Sequence, residues 1–281
     1  MIKLQEKPPQ LSLSIRKVYS LVKSKKLPLI KILTQKFEDY SEKELYAMII
    51  CGEVSVAGET IRKPQVKVEI DKAVIFKKKR FVSRGGEKLD FALSKWGVST
   101  AEKVVLDAGS STGGFTDCLL QRGAVLVHSV DVGFNQLDYR LRKDSRVNVL
   151  EKTNIMSLVS LDPQPDFAVA DLSFRSITGA ANLILNLTRE NLLIALIKPQ
   201  FEIEPDDDFD GIIRDKEVLK SVVYDTAQRL ADAGIAIGSV LESPIKGGKG
   251  NTEYLFSLHA AGTEETLGNS QIVNSLFSNQ S

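Results

Sequence analysis

The amino-acid sequence predicts an α/β protein whose main domain is built on a doubly wound, mainly parallel sheet of seven strands. From residue 103 onward, apolar strand-like segments alternate with helix-like segments, which is the pattern of parallel strands joined by crossover helices. Several strand segments are nearly continuous apolar runs, as expected when helices cover both faces of a sheet. Residues 1–80 have a different sequence pattern, with helix-like segments followed by short strand-like ones, and we expect them to form a separate, small α+β domain.

The first domain is predicted from helical periodicity followed by short strands. Apolar residues three and four positions apart indicate a helix over residues 14–37. Ser41 and Glu44 have the spacing of a capping box at the start of a second helix, which should stop at Gly52. The remaining segments predict a strand–turn–strand unit that turns at Ala57-Gly58, and then two short strands, in the order EVSVAGETI, VKVEI and AVIF.

The second domain is predicted to span residues 81–262 and to contain the seven-stranded sheet. Helices are expected between most strands, for example over residues 177–191 and 217–234, and the closely spaced last two strands should pair antiparallel. Residues 263–281 are rich in serine and asparagine and predict a flexible tail. The predicted strands are residues 103–109, 126–133, 147–154, 167–174, 192–199, 235–242 and 253–260.

The composition is that of an ordinary globular protein and argues against several function classes. Of the 281 residues, 43% are apolar and 26% are charged, so the chain can bury a core without disulfides or metal ions. Two cysteines and two histidines, without clusters, argue against a disulfide framework and against a zinc site. We find no signal-peptide pattern and no apolar run of the roughly 20 residues that span a bilayer. We therefore expect a cytoplasmic protein without a metal site.

The segment VVLDAGSSTGGFTDCLL, residues 104–120, combines an apolar strand, a glycine-rich turn and the start of a helix. Its glycines allow a tight turn and a close approach of a ligand to the backbone. Ser111 stands where a dinucleotide fingerprint has its second glycine, and the lysine of a phosphate-binding loop is absent. Asp107, a carboxylate at the strand end, suits a cationic ligand such as S-adenosylmethionine. A tight turn without a ligand is the alternative.

Charged residues mark the ends of four other predicted strands. Asp131 lies at the carboxyl end of the second strand and could accept both ribose hydroxyls of an adenosine ligand, although alone it would be a plain turn residue. Asp171 and Lys198 should be neighbours over one crevice, although an isolated lysine there would be interpreted as a surface residue. Glu253 follows a glycine-rich loop and opens the last strand. The alternative interpretation is a hairpin loop with an exposed surface glutamate, because most glutamates in proteins lie on the surface.

Six motifs occur in order and at fitting intervals, and together they resemble the hemolysin A (TlyA) family of FtsJ-like 2′-O-ribose RNA methyltransferases. They are VSRGGEKLDFAL, LDAGSSTGGFTDCLL, VDVGFNQLDYRLR, DLSF, LIKPQFE and KGGKGNTEYL. The resemblance covers roughly residues 28–260 and is strong over 82–260. It implies a Rossmann-like class I methyltransferase domain with S-adenosylmethionine as the methyl donor.

The resemblance also implies two sets of site residues. Asp131 would lie on the adenosine side of the cofactor and Asn154 near the adenine. Gly85 and Gly86 would let the chain cross from the first domain and bring Lys88, by itself an ordinary exposed lysine, over the crevice. The catalytic set is a Lys-Asp-Lys-Glu tetrad, which falls on Lys88, Asp171, Lys198 and Glu253. The cofactor set falls on Asp107, Gly109, Ser111, Thr112, Gly113, Gly114, Phe115, Asp131 and Asn154.

The implied reaction accounts for the four catalytic residues. A ribose 2′-hydroxyl is a poor nucleophile and needs its proton removed as it attacks the methyl group. A free lysine, with an ordinary pKa of about 10.4, is protonated at neutral pH, but a second ammonium and partial desolvation favour the neutral amine. Lys198 is therefore expected to be the general base, and Lys88 to supply the like charge and orient the hydroxyl. Asp171 and Glu253 would hold the two lysines.

By the same resemblance, residues 1–80 should form a ribosomal protein S-four-type RNA-binding domain, with ribosomal RNA as the partner. The segment GEVSVAGETIRKP matches that family's strand pair. The sequence departs from the family in having few arginines and in having Glu42 after Ser41. RNA affinity would then depend on phosphate contacts from two basic clusters, residues 14–31 and 76–84.

Two alternatives to ribosomal RNA methylation belong to other function classes. One is an RNA-binding protein of the same fold with little or no activity, against which the complete tetrad argues. The other, suggested only by the family's name, is a membrane-active hemolysin, against which the lack of a membrane-spanning run argues.

Overall fold

The computed structural model describes residues 26–38, 40–50, 52–72, 74–76, 80–173, 176–203, 209–262 and 266–278. The chain divides into two compact units, residues 1–79 and 80–281. In the described ranges, no helix combines the length and the apolar character that crossing a membrane requires.

The described part of the first unit contains two helices and five short strands. Strands β3, β2 and β5 form an antiparallel sheet in that order, and β1 pairs with β4. The small core comprises apolar side chains from both helices and from β2, such as Leu33, Leu45 and Val54. The strands are β1 (Lys26–Pro28), β2 (Val54–Val56), β3 (Glu59–Thr60), β4 (Lys67–Glu69) and β5 (Val74–Phe76), and the helices are α1 (Leu29–Lys36) and α2 (Glu42–Ile50).

The capping box of this unit is confirmed, whereas the helix over residues 14–37 is wrong in part. The Glu44 carboxylate accepts the backbone N–H of Ser41 at 2.7 Å, and the Ser41 hydroxyl accepts that of Glu44 at 3.3 Å. Residues 26–28 form β1, and α1 begins only at Leu29. The cause is Pro28, which restricts the preceding residue to extended backbone. Residues 14–25 lie outside the described part of the chain.

The second unit has the predicted fold, a seven-stranded, mainly parallel sheet in the order β11-β12-β10-β9-β6-β7-β8. Strand β12 runs antiparallel to both of its neighbours, and the remaining described pairs are parallel. The strands are β6 (Val104–Ala108), β7 (Leu126–Val130), β8 (Val147–Leu150), β9 (Phe167–Ala170), β10 (Leu192–Ile197), β11 (Ile235–Glu242) and β12 (Tyr254–Ala260). The helices are α3 (Arg84–Trp96), α4 (Gly114–Gln121), α5 (Tyr139–Lys143), α6 (Thr178–Asn186), α7 (Lys216–Asp232) and α8 (Asn269–Phe277).

Two buried apolar clusters lie on the two faces of this sheet. Phe167 belongs to one cluster and its neighbour Ala168 to the other, and Ile194 and Leu193 are divided in the same way. Because successive strand residues point to opposite faces, both faces are covered. This arrangement explains the nearly continuous apolar runs in the sequence.

The predicted strands extend past the observed ones at their carboxyl ends. Strand β7 ends at Val130, β9 at Ala170 and β10 at Ile197, although the predictions continued for two to four residues. The residues that leave the ladder at these points begin with Asp131, Asp171 and Lys198. The strand ends therefore supply site residues.

The expected flexibility of residues 263–281 is wrong for the segment that forms α8. Ile272, Val273 and Leu276 are buried, and α8 packs on α7 and β11. The polar composition of the segment hid a short apolar stripe at helical spacing. Residues 263–265 and 279–281 lie outside the described part of the chain.

Candidate active site

The turn between β6 and α4 brings two strand ends together. Gly109 has a φ of 84° and donates its N–H to the carbonyl of Val130 at 2.8 Å. A Cβ atom at Gly109 would lie 2.6 Å from the carbonyl oxygen of Asp171. Glycine is therefore required both for the turn and for the close approach of the segment that follows β9.

The glycine pair of α3 packs against the glycine pair that opens α4. A Cβ atom at Gly86 would lie 2.8 Å from the carbonyl oxygen of Gly114, and one at Gly114 would lie 3.0 Å from the nitrogen of Gly86. The first turns of the two helices are thus in backbone contact. Ser83 caps α3 by accepting the N–H of Gly85 at 3.3 Å. The structure gives the pair a packing role that the sequence did not indicate.

Two clefts open around this turn and share Gly109, Ser111 and Asp171. The small cleft, of about 210 Å³, is also lined by Lys88. The wide cleft, of about 480 Å³, is also lined by Gln136, a residue that sequence reasoning missed. Seven of the nine predicted cofactor residues line these clefts, namely Gly109, Ser111, Thr112, Gly114, Phe115, Asp131 and Asn154. Gly113 has a φ of 93° at the N-cap of α4.

Asp131 is fixed in the wall of the wide cleft by main-chain donors. Its two carboxylate oxygens accept the N–H groups of Ser111 at 2.8 Å and of Gly133 at 2.6 Å. A carboxylate oxygen can accept more than one hydrogen bond, so Asp131 can still bind hydroxyl groups. Asn154 accepts the N–H of Met156 at 3.0 Å and opens a short 3₁₀ turn, Ile155–Ser157.

Asp107 lies in the fully buried end of β6 and is absent from the described lining of both clefts. One carboxyl oxygen accepts the hydroxyl of Thr116 at 2.6 Å, and the other has no hydrogen-bond partner among the described residues. Burial, together with the nearby charges of Asp171 and Asp131, raises the pKa of Asp107 to about 7 against the opposing effect of the Thr116 hydrogen bonds. Its direct contact with a cofactor stays a prediction.

The four predicted catalytic residues form two ion pairs. Lys88, in the first turns of α3, bonds to Glu253, which immediately precedes β12, and both side chains are buried. Lys198 follows β10 and pairs with Asp171, which follows β9, at 2.5 Å. Lys198 also donates to the hydroxyl of Ser173 at 3.0 Å. Because β9 and β10 are parallel neighbours, the second pair joins adjacent strand ends as predicted.

A third opening, of about 570 Å³, adjoins the ion pairs and is called the Lys198 cavity. Lys198 and Glu253 line it, whereas Lys88 and Asp171 line the small cleft, so each ion pair contributes to both openings. Ser173 is shared between the Lys198 cavity and the wide cleft. The tetrad therefore lies where the openings meet.

The other walls of the Lys198 cavity escaped the sequence-based prediction. Phe201, Phe209, Gln200 and Lys249 line it, and so does Asn251, whose amide binds the backbone of Gly211 at 2.7 Å and of Ile213 at 3.0 Å. The available signal was the position of two aromatic residues shortly after a site lysine. Sequence alone did not show that two separate segments, residues 209–211 and 248–251, come together to line the cavity beside that lysine.

The glycine-rich loop before β12 is shaped around the Glu253 carboxylate. The N–H of Gly247 donates to Asn251 at 2.8 Å, and that of Gly250 donates to Gly247 at 3.0 Å. A Cβ atom at Gly247 would lie 2.5 Å from a carboxylate oxygen of Glu253. The loop thus needs glycine where it covers the buried ion pair.

This geometry combines a carboxylate-rich pair of clefts with an amine beside an adjoining cavity. Carboxylates at Asp131 and Asp171 make the clefts suited to a cationic ligand. An amine positioned by a carboxylate, at the edge of a cavity with aromatic walls, is suited to take a proton from a bound hydroxyl group. The set can therefore serve a group transfer between two ligands that meet at the tetrad.

Comparisons with known proteins agree with this geometry. The model of the FtsJ-like methyltransferase family matches residues 81–260. Hemolysin A of Brachyspira hyodysenteriae is 40% identical over 78% of this chain and 94% of its own length. The 16S/23S rRNA (cytidine-2′-O)-methyltransferase TlyA of Mycobacterium tuberculosis is 37% identical over 78% of this chain and 84% of its own. A solved structure from Streptococcus thermophilus, classed by name with the hemolysins, is 31% identical, with a TM-score of 0.67 over 90% of this chain and 96% of that one.

Proposed function

Because the chain belongs to the FtsJ-like methyltransferase family, we propose that it transfers a methyl group from S-adenosylmethionine to a ribose 2′-hydroxyl of ribosomal RNA. The observation that carries the proposal is the pairing of Lys88 with Glu253 and of Lys198 with Asp171 where the clefts meet the Lys198 cavity. The names of the ribosomal RNA methyltransferases among the relatives support the choice of acceptor. The cytoplasmic location and the S-four-type nature of residues 1–80 stay predictions.

The two clefts fit a cationic adenosine cofactor. Gly109 lets the Asp171 backbone approach the turn that lines both clefts, and Asp131 presents an oriented carboxylate for the ribose hydroxyls. Asn154 would contact the adenine, and the carboxylate of Asp171, which lines both clefts, would favour positive charge. When bound, S-adenosylmethionine supplies an activated methyl group to the acceptor.

The four residues of the tetrad remove the proton of the acceptor hydroxyl, orient that hydroxyl and balance the charges of the two lysines. Lys198, in its neutral form, takes the proton of the 2′-hydroxyl on Nζ as the oxygen attacks and becomes an ammonium, and Asp171 and Ser173 hold the side chain in place. Lys88 orients the hydroxyl, and Glu253 keeps the buried ammonium of Lys88 compensated. Fixing the acceptor and the base in one geometry supplies much of the rate enhancement.

The acceptor nucleoside would enter the Lys198 cavity. Phe201 and Phe209 offer apolar walls for a base, and Gln200 offers amide hydrogen bonds. Two relatives are named cytidine-2′-O methyltransferases, and we therefore propose cytidine as the acceptor.

Methyl transfer to ribosomal subunits that lack the modification tests this proposal. The protein should bind S-adenosylmethionine by calorimetry and transfer its labelled methyl group to a 2′-oxygen that can be mapped in the RNA. Lys198→Met should lower the transfer rate about 10²- to 10⁴-fold with cofactor affinity unchanged, because only the proton acceptor is lost. Lys220→Met, at a half-exposed lysine of α7 that lines none of the three openings, is the matched control and should leave both quantities unchanged.

The outcomes separate the candidate functions. No detectable binding of S-adenosylmethionine would overturn the assignment of the two clefts. Binding without methylation of any ribosomal RNA would favour an RNA-binding protein of the same fold. A Lys198→Met variant that works at the normal rate would remove the general-base assignment.

A further inference from the structure

Glu202 lies four residues after Lys198 in the motif LIKPQFE and is a buried carboxylate that the proposed chemistry does not use. Its sequence neighbourhood, FEIEPDDDFD, suggests a solvated acidic segment, yet the Glu202 side chain is only 2% exposed. A buried carboxylate is costly unless partners compensate it, so its contacts indicate what it does.

The Glu202 carboxylate receives hydrogen bonds from two different parts of the chain. Its oxygens accept the hydroxyl of Ser176 at 2.5 Å and the backbone N–H of Ile177 at 3.0 Å, just before α6. Arg229 of α7 donates to the Glu202 carboxylate at 3.3 Å and to its backbone carbonyl at 3.0 Å. Glu202 therefore ties α6 and α7 to its own segment.

The segment that carries Glu202 is a short, fixed path to Lys198. Residues Pro199–Phe201 form a 3₁₀ turn in which the N–H of Phe201 donates to the carbonyl of Lys198 at 2.8 Å. The N–H of Glu202 donates to the carbonyl of Pro199 at 3.0 Å. A shift of Glu202 would be transmitted to Lys198 through this one turn.

The same contacts lie close to Asp171 in the sequence, although residues 174 and 175 lie outside the described part of the chain. Ser176 and Ile177 follow Asp171 by five and six residues in the sequence. Glu202 thus cross-links the chain that leaves β9, the strand before Asp171, to the chain that leaves β10, the strand before Lys198. Asp171 and Lys198, the half-buried ion pair of the tetrad, each follow one of these two strands.

We infer that Glu202 is a positioning residue that keeps Lys198 opposite Asp171 for proton removal, an inference that rests on the proposed function. Glu202 contributes no atom to the described lining of the two clefts, so cofactor affinity should not depend on it. A displacement of about 1 Å at a reacting group can lower a rate about 10²-fold.

The test compares Glu202 with a carboxylate of the same contact type at the amino end of a parallel strand, opposite to the end that carries the site. Asp166 precedes β9, accepts the backbone N–H of Val104 at 2.8 Å and pairs with Arg189 at 2.8 Å. Purified Glu202→Ala, Glu202→Gln and Asp166→Ala proteins are assayed for kcat and KM on ribosomal subunits, for cofactor Kd and for melting temperature. Wild-type protein is measured in the same assay.

Glu202→Ala should lower kcat about 10- to 100-fold with the cofactor Kd within twofold of wild type. Glu202→Gln, which keeps the size of the side chain and one acceptor oxygen, should recover part of that loss. Asp166→Ala should lose melting temperature while keeping kcat within twofold. Should Glu202→Ala not fold, Glu202→Gln and Ser176→Ala are judged by the same criteria.

The positioning role is overturned if the Glu202 variants lose melting temperature as Asp166→Ala does and keep their kcat. Wild-type protein that binds cofactor and methylates no ribosomal RNA would instead overturn the proposed function. The two failures are therefore distinguishable in one set of measurements.

Discussion

The two clefts are shaped by main-chain atoms, whereas the Lys198 cavity and the tetrad beside it are held by charged side chains. At the clefts, Asp131 is fixed by two backbone N–H groups, and glycine contacts set the positions of α3 and α4. At the tetrad, lysine–carboxylate pairs join segments that are far apart in the sequence. Substitutions should therefore act on packing and binding at the clefts, and on charge balance and chemistry at the tetrad.

The largest effect is expected from breaking the buried ion pair. Glu253→Ala leaves the ammonium of Lys88 buried without its carboxylate, which costs about 3–5 kcal/mol in unfolding free energy. Urea unfolding measures this loss. Glu242→Ala removes the partner of Lys246 in a more exposed pair and should cost no more than about 1 kcal/mol. Equal losses in the two variants would contradict the burial of the Lys88 pair.

The next effect is a pH dependence of the unfolding free energy that originates at Asp107, buried in β6. Folded Asp107 keeps its proton up to about pH 7, whereas the unfolded carboxyl releases it near its ordinary pKa of 3.8. The folded state then holds more protons between these values, so unfolding free energy should fall by about 1.4 kcal/mol per pH unit and level off above pH 7.

Asp107→Asn is expected to remove this slope while keeping an acceptor for Thr116. Urea unfolding at pH 5, 6, 7 and 8 measures it, with Asp232→Asn at an exposed position of α7 as the control. A variant that retains the wild-type slope would show that another group titrates in this range.

A smaller loss of unfolding free energy is expected from a substitution at the contact between α3 and α4. Gly114→Ala would place a methyl group against Ser83 and the backbone of Gly86, and such overpacking costs about 1–3 kcal/mol. Gly179→Ala is the matched control, because a Cβ atom there meets no atom within 4 Å and the position is in a helix. It should be neutral or stabilise by up to about 1 kcal/mol. Thermal unfolding of both variants measures the difference, and equal shifts would contradict the close contact of the helices.

The smallest expected effect is a loss of cofactor affinity on substitution of Asp131, which tests binding separately from stability. Asp131→Asn keeps one carbonyl oxygen for the main-chain donors but loses the charge, and we expect S-adenosylmethionine to bind about tenfold more weakly, or about 1.4 kcal/mol. Calorimetry with the cofactor measures this change. An unchanged affinity would show that the adenosine binds without Asp131, whereas the Lys198→Met variant should bind normally.

Much of the fold could be predicted because burial on both faces of a parallel sheet leaves a strong local pattern. Residues 235–242 form the predicted strand, and the antiparallel pairing of the last two strands is confirmed. The fold predictions that were wrong come from places where two local sequence signals disagree. Pro28 overrides helical periodicity around it, and the apolar stripe of Ile272 and Leu276 outweighs the polar composition of its segment.

The site was less predictable because its support comes from contacts distant in sequence. Asp131, Asp171 and Lys198 are conspicuous as charges at the ends of apolar runs. Glu202 carries no such signal, since its burial depends on α6 and α7 closing over it. The burial of Asp107 and the packing of Gly86 on Gly114 likewise depend on tertiary structure that local patterns do not encode.

The position of β12 has a consequence for the order in which the enzyme becomes complete. It is the last strand in chain order among those described, yet it lies between β10 and β11 in the sheet. During synthesis, one edge of β10 stays unpaired until the residues up to Ala260 have been made. Glu253 can pair with Lys88, 165 residues earlier in the chain, only when β12 has inserted into the sheet. The tetrad can therefore form only after the last strand of the sheet has been synthesised. A nascent chain halted before β12 would contain the glycine-rich turn but no Glu253 to pair with Lys88.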